Sequence, residues 1–460
     1  MNIALRHIKR ISRVSLCAMI AAVCLVLSSC SGVFSDPRSL ISPPKASGVL
    51  EGIEDALGRA INGEYSFVYP QSGDYRSACN IVKIMGSGDI EAVVFYQRKD
   101  TEEYHLNYLS KSGGKWKSNT DIKLVCSSIH KVDFADLCGD GTKELLIGCN
   151  LYNEKEKKLY VYSKKSGKFN QIAQESYTDF VACNLTEDKK MQLAVFALSA
   201  NSSVNTAENE TALIKKPATL QLISFNAYED GVAAVLGSTY IDSGITSFSQ
   251  IAESKINGGA NALFADAYKG VDTMITEIVY YDKSGKALVN ALNSSPLGEN
   301  VQTKRQFLQN SRDIDGDGRL EVPFGVEIAG YTAISGEQMY YSQWKQFDNG
   351  KFTAVAVGYF NAADNYFLKI PEKWLDSVTV SVDKKQCVVD FYVYDSKNDV
   401  KGARLLSLKL QSKKDFEKEP DGYEMIAQSG DNIIAGRCDG AENKELAVNI
   451  EYVKNSLAVF

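Results

Sequence analysis

The sequence predicts an all-β protein: a seven-bladed β-propeller, with a six-bladed ring as the alternative and an N-terminal strand closing the ring. Three observations lead there. A nine-residue acidic phrase, sharpest over Asp313–Glu321, recurs in degraded form at 83–91, 136–144, 184–192, 254–262 and 437–445. An apolar stretch of strand character follows each phrase, as in Leu145–Gly148 and Leu193–Phe196. A second such stretch then ends in an aromatic residue and a glycine turn, as Tyr160–Tyr162 does ahead of Gly167, which is hairpin grammar.

The spacing of the copies sets the unit. The phrases end at 91, 144, 192, 262, 321 and 445, so most intervals match a blade of about four short strands. The interval before 445 is double, and a degraded start near Trp374–Val378 fills it, which brings the count to seven. The long interval between 192 and 262 holds the polar stretch Ser199–Lys216, read as an inserted loop. The last unit stops at Phe460 after one hairpin's worth of strand, while Tyr65–Tyr69 is a strand without a blade. Pairing the two would complete the seventh sheet and remove an exposed edge. Residues 51–62 read as a short helix outside the ring.

Residues 1–29 read as a leader and not as part of the fold. Arg6, Lys9, Arg10 and Arg13 precede an apolar run from Val14 to Leu27, which is shorter than the roughly 20 residues a bilayer span needs. The run closes on Leu27-Ser28-Ser29-Cys30, which resembles the lipobox of bacterial lipoproteins. That resemblance implies cleavage before Cys30 and acylation of Cys30 with chains such as palmitate. The chain would then be anchored at the extracytoplasmic face of a bacterial membrane. Residues 30–48 carry Pro37, Pro43, Pro44 and several serines and read as a flexible tether. Residues 49–460 are the propeller.

The formal charge of the whole chain is −6, and the leader carries four basic and no acidic residues, so its removal leaves −10. An acidic surface without lysine and arginine clusters argues against nucleic acid as a partner. Seven cysteines follow Cys30, an odd number without CxxC spacing, which indicates neither a disulfide framework nor a zinc site.

The sharpest phrase has the form of a calcium loop. Asp313, Asp315 and Asp317 stand at positions one, three and five, Gly318 supplies a turn, Arg319 offers a backbone carbonyl at seven, and Glu321 closes at nine. Calcium takes six to eight oxygen ligands, and carboxylates at alternate positions can curl round one ion. The phrase at 136–144 keeps Asp136, Asp140 and Glu144 but has Cys138 at position three, a poor ligand for a hard cation, so it reads as a weak second loop. In the remaining copies Lys83, Arg437 and the pair Gly258-Gly259 stand where carboxylates are needed, which leaves structural turns.

The Asp-Gly-Asp-Gly pattern ending in Glu321 resembles the FG-GAP (VCBS-type) repeats of bacterial surface proteins and of integrin α-chain propellers. The stretch Tyr69–Ser77, with the first acidic phrase and Glu91–Tyr96 after it, is similar to uncharacterised lipoproteins of clostridial-type Firmicutes. The resemblance implies a propeller with structural calcium, and it implies little about activity.

Catalysis finds little footing. Beyond the leader only His105 and His130 remain, neither with metal-ligand spacing or a nucleophile motif beside it, and no catalytic residue is expected. The aromatic residues Tyr340, Tyr341, Trp344, Tyr359, Phe360, Tyr366, Phe367 and Trp374 read as filling between blades, with a sugar or protein platform as the second reading. The expected function is a non-catalytic binding or scaffold module whose partner is an envelope protein or glycan. The alternative is a cell-surface enzyme acting on polysaccharide or peptide.

Overall fold

The computed structural model describes residues 48–460 apart from 85–89, 155, 166–167, 206–210, 227–231, 294, 332–338, 419–421 and 441. The leader, Cys30 and the tether up to residue 47 lie outside the described residues. Among the described residues the repeated units are six antiparallel sheets of four or five strands, taken in chain order.

In the first sheet Tyr65–Phe67 and Cys79–Val82 lie end to end along Glu91–Arg98, followed by Tyr104–Ser112 and Lys115–Leu124. The second is a plain meander of four strands from Ser128 to Tyr177, and the fourth one from Ser247 to Asn290. The third runs from Asp179 to Tyr240 and carries a separate hairpin, Ala200–Asn205 with Thr211–Lys216, in the polar stretch expected to be a loop. The fifth starts at Glu321 and the sixth at Val378. Pro323 stands in the edge strand of the fifth sheet, where a missing N–H costs least.

The runs that are apolar without alternation follow from what each sheet touches. In Glu144–Asn150 the first six residues are all buried. Leu145 and Ile147 face the first sheet in a cluster with Val93, Phe95 and Leu106, while Leu146 faces the third with Leu193 and Val195. Successive side chains point to opposite faces, so a sheet packed on both sides needs apolar residues at every position. Shared clusters continue in chain order: third with fourth through Phe196 and Leu263, fourth with fifth through Phe264 and Phe347, fifth with sixth through Tyr341 and Phe391.

Two expectations are corrected. Among the described residues no seventh sheet is present: Leu446 is turn, and Ala447 and Val448 lead without strand into the helix Ile450–Ser456, capped by the Asn449 side chain on Tyr452 N–H. Nor do the two terminal strands pair with each other. Tyr65–Phe67 pairs with Tyr96–Arg98 in its own sheet, and Leu457–Val459 adds to Tyr366–Leu368 of the fifth. The outer face of the first sheet is instead covered by the helix Val49–Ala60, whose Ile53, Ala56 and Leu57 form a one-sided stripe against Ala92, Val94, Tyr96 and Trp116. Gly52 allows that contact, since a Cβ there would stand 2.9 Å from Trp116 Cδ1.

Candidate functional site

The acidic phrases are the links from one strand to the next at a sheet's edge, and they share one register. The residue that ends the phrase pairs with the residue nine positions before it: Glu91 with Val82, Glu144 with Ala135, Gln192 with Cys183, Glu321 with Arg312. In the fourth sheet the phrase shrinks to a tight hairpin with Ser254 opposite Ala262.

In the loop 313–321 the carboxylate oxygens of Asp313, Asp315 and Asp317 lie within 4.8 Å of one another. Asp313 accepts the N–H groups of Gly316 at 2.8 Å and Gly318 at 2.9 Å, and Asp317 accepts that of Arg319 at 2.8 Å. These bonds curl the loop and keep the three carboxylates close together, with Asp315 and Asp317 exposed. The donor set is all oxygen and acidic, which fits calcium. Arg319 keeps only its backbone there, since its guanidinium reaches away to Asp348 at 2.8 Å.

Glu321 stands apart from that cluster. It is fully buried, accepts the Ile314 N–H at 3.0 Å through one oxygen and meets Gln346 with the other. Burial pushes its carboxyl up to about 7, and the three aspartates add to the effect. The second loop has the same plan. Asp136 accepts from Gly139, Asp140 and Gly141, Asp140 accepts from Thr142, and Glu144 is buried beneath on Leu137 and Cys138 N–H and the Ser163 hydroxyl. The Cys138 thiol is buried, and burial pushes it up to about 12.

Both histidines are held by specific partners. His105 Nδ1–H donates to Asp121 at 2.8 Å, and Asp121 also accepts from Tyr96 and Asn107. His105 Nε2 is buried without a hydrogen-bond partner, 3.8 Å from a Glu103 oxygen. His130 is the extra residue of a β-bulge between Ile129 and Lys131. Lys157 donates to its Nε2 at 2.9 Å, which leaves the proton on Nδ1 to donate to the Tyr177 oxygen at 2.9 Å. Burial first, then the Lys157 ammonium, lowers His130 to about 4.

A cleft of about 1190 Å³ opens between the fifth and sixth sheets. Tyr331, Tyr359 and Tyr394 line it with Lys385, Lys401 and Asp364. Its carboxylates are tied to local donors: Asp364 to the Asn361 amide, Asp383 to the Lys385 and Gln386 N–H groups, Asp399 to the Tyr394 hydroxyl at 2.7 Å. Lys401 rests its ammonium over the Tyr392 ring. Of the aromatic residues singled out in the sequence only Tyr359 lines this cleft. Tyr341, Trp344, Tyr366, Phe367 and Trp374 are core, as the packing reading expects.

Sequence reasoning missed a buried polar network under the loop 291–312. Arg305 and Asp266, both out of solvent, pair at 3.0 Å with Thr276 and Ser311 completing the ring of bonds. Glu277 accepts the Asp242 N–H and the Asn290 amide, and burial pushes it up to about 7. The signal was faint: a lone carboxylate inside an apolar strand, as in Met274–Asp282.

No protein-family model and no curated protein matches the sequence. Among solved structures the chain is similar to the exotype rhamnogalacturonan lyase YesX (10% identity, TM-score 0.31, covering 75% of this chain and 84% of that one). It is likewise similar to the Pseudomonas aeruginosa periplasmic gluconolactonase PpgL (11%, 0.28, 69% and 82%). Sqt1 from Chaetomium thermophilum gives 11%, 0.32, 77% and 92%. Likeness at this level assigns no activity.

Proposed function

We propose that this chain is an extracytoplasmic binding module of propeller type, held at a bacterial membrane by an acylated Cys30, with its ligand site in the cleft between the fifth and sixth sheets. The carrying observation is the cleft itself. It is larger than a typical small-molecule pocket, it combines tyrosine rings with charged side chains, and its carboxylates are already bonded to neighbouring donors. A ligand there is recognised by stacking and by hydrogen bonds, which suits a glycan or an envelope protein. Calcium in the loop 313–321 would brace the fifth sheet and take up Asp313, Asp315 and Asp317 as ligands.

Titration calorimetry with envelope glycans and peptides tests the reading. Saturable binding should weaken at least roughly tenfold in Tyr394→Ala or Lys401→Ala, about 1.4 kcal/mol. Binding that ignores both substitutions would move the site elsewhere. A surface enzyme acting on polysaccharide or peptide is the second reading, favoured by one arrangement: Asp121 orients His105 and leaves its buried Nε2 without a hydrogen bond. Turnover abolished by His105→Gln would establish it.

A further inference from the structure

A different pair of side chains lies in the seam between the first and second sheets. Cys126 sits in the link between the strands Lys115–Leu124 and Ser128–Ala135, and Cys149 sits in the strand Glu144–Asn150. Both are buried, 4% and 0% exposed, in one apolar cluster with Ile129, Tyr160 and Tyr162. The backbone brings them together. Ile129 is the register partner of Cys149, and Ser127, next to Cys126, donates its N–H to the Asn150 carbonyl at 2.8 Å. The two thiols adjoin, and that contact, with burial, holds the Cys149 thiol protonated well above the ordinary range. Both cysteines are unbonded here.

We propose that Cys126 and Cys149 are a disulfide site, joined when the chain folds in an oxidising compartment. The oxidant is a disulfide, either that of a thiol oxidoreductase or glutathione disulfide. One cysteine, as thiolate, attacks a sulfur of that disulfide, forming a mixed disulfide and expelling the first oxidant thiolate. The second cysteine thiolate attacks the mixed-disulfide sulfur on the protein, closes the Cys126–Cys149 bond and expels the remaining oxidant thiolate. Two thiol protons leave, and two electrons reduce the oxidant disulfide to two thiols. The reaction belongs to the folding chain, in which both thiols are exposed and of ordinary acidity. Once the seam closes, burial shields the bond. The bond links the first sheet-to-sheet connection to the second strand of the second sheet, and it restricts the unfolded chain between 126 and 149. The other five cysteines after Cys30 stay as thiols.

The test uses the mature chain recovered from an oxidising periplasm and, separately, the chain refolded with glutathione disulfide. Each is alkylated in denaturant and digested without reductant. Of the seven cysteines after Cys30, five should take the label, a Cys126–Cys149 linked peptide should appear, and prior reduction should restore all seven. Dithiothreitol should lower the melting temperature of the oxidised protein and leave that of Cys126→Ala unchanged. Where that variant fails to fold, the peptide map of the unsubstituted chain still decides. Labelling of all seven cysteines after both treatments, or a linked peptide joining other cysteines, would overturn the proposal.

Discussion

Glu321 accepts the backbone N–H of Ile314, seven residues upstream, at 3.0 Å, and the same span joins Glu144 to Leu137 and Glu91 to Ile84 at 2.8 Å. In these three phrases the terminal carboxylate is therefore the acceptor that ties the end of the phrase back to its start. It is buried because it begins a strand packed on both faces.

Replacing Glu144 by Ala should destabilise the protein markedly, because it strands the Leu137 and Cys138 N–H groups and the Ser163 hydroxyl in the interior. An unsatisfied buried polar group costs about 1–3 kcal/mol. Glu144→Gln keeps an acceptor and should cost less, as Gln192 already shows by accepting the Thr186 N–H at 3.2 Å. Urea midpoints of the two variants check the order, and equal losses would remove the loop-closing role.

Calcium should bind the loop 313–321 and stabilise the folded state. A ligand specific for that state adds about 2.7 kcal/mol at a hundredfold excess over Kd. Chelator should therefore lower the melting temperature, Asp315→Ala should abolish the response, and Asp136→Ala should leave it nearly intact. A melting curve indifferent to chelator, with no heat on calcium addition, reduces the loop to a turn.

Burial holds the Glu277 carboxyl at about 7 in the folded protein against 4.5 in the ordinary state. The folded chain thus keeps a proton that the unfolded chain releases. The stability tied to that proton is complete below about 4.5 and is lost as the pH rises towards 7. Glu277→Gln should remove this contribution. The difference in urea midpoint between variant and wild type should therefore change across that window and stay flat if the side chain is not proton-linked.

Gly148 leaves room for the Tyr177 hydroxyl, which a Cβ would meet at 2.1 Å. Gly148→Ala should displace Tyr177, break its bond to His130 and cost about 1–3 kcal/mol by overpacking. NMR of the histidine ring should show the His130 resonances moving as Nδ1–H loses the Tyr177 oxygen. An unmoved resonance would show that Tyr177 yields without disturbing the ring.

Cys30→Ala should release the protein from the membrane fraction of the producing cell. Undiminished membrane association on fractionation would exclude Cys30 as the anchor.

The strands, the phrase spacing and the insertion at 199–216 were legible along the chain because each depends on local pattern: apolar runs, glycine turns and carboxylates at alternate positions. The helix was legible too, observed at Val49–Ala60 against an expected 51–62. What faces what was not. Glu321 looks like the ligand at position nine in one dimension, yet its place at the start of a buried strand sets it on the Ile314 N–H, outside the group of Asp313, Asp315 and Asp317. The phrase at 437–445 resembles the others, but Leu446–Val448 finds no sheet to join and the chain turns into a helix against the sixth. Arg305 and Asp266, the Cys126–Cys149 contact and the cleft behind Tyr394 join residues far apart in the chain or on different strands. Such contacts depend on which faces the sheets bury against each other, and only the tertiary structure decides that.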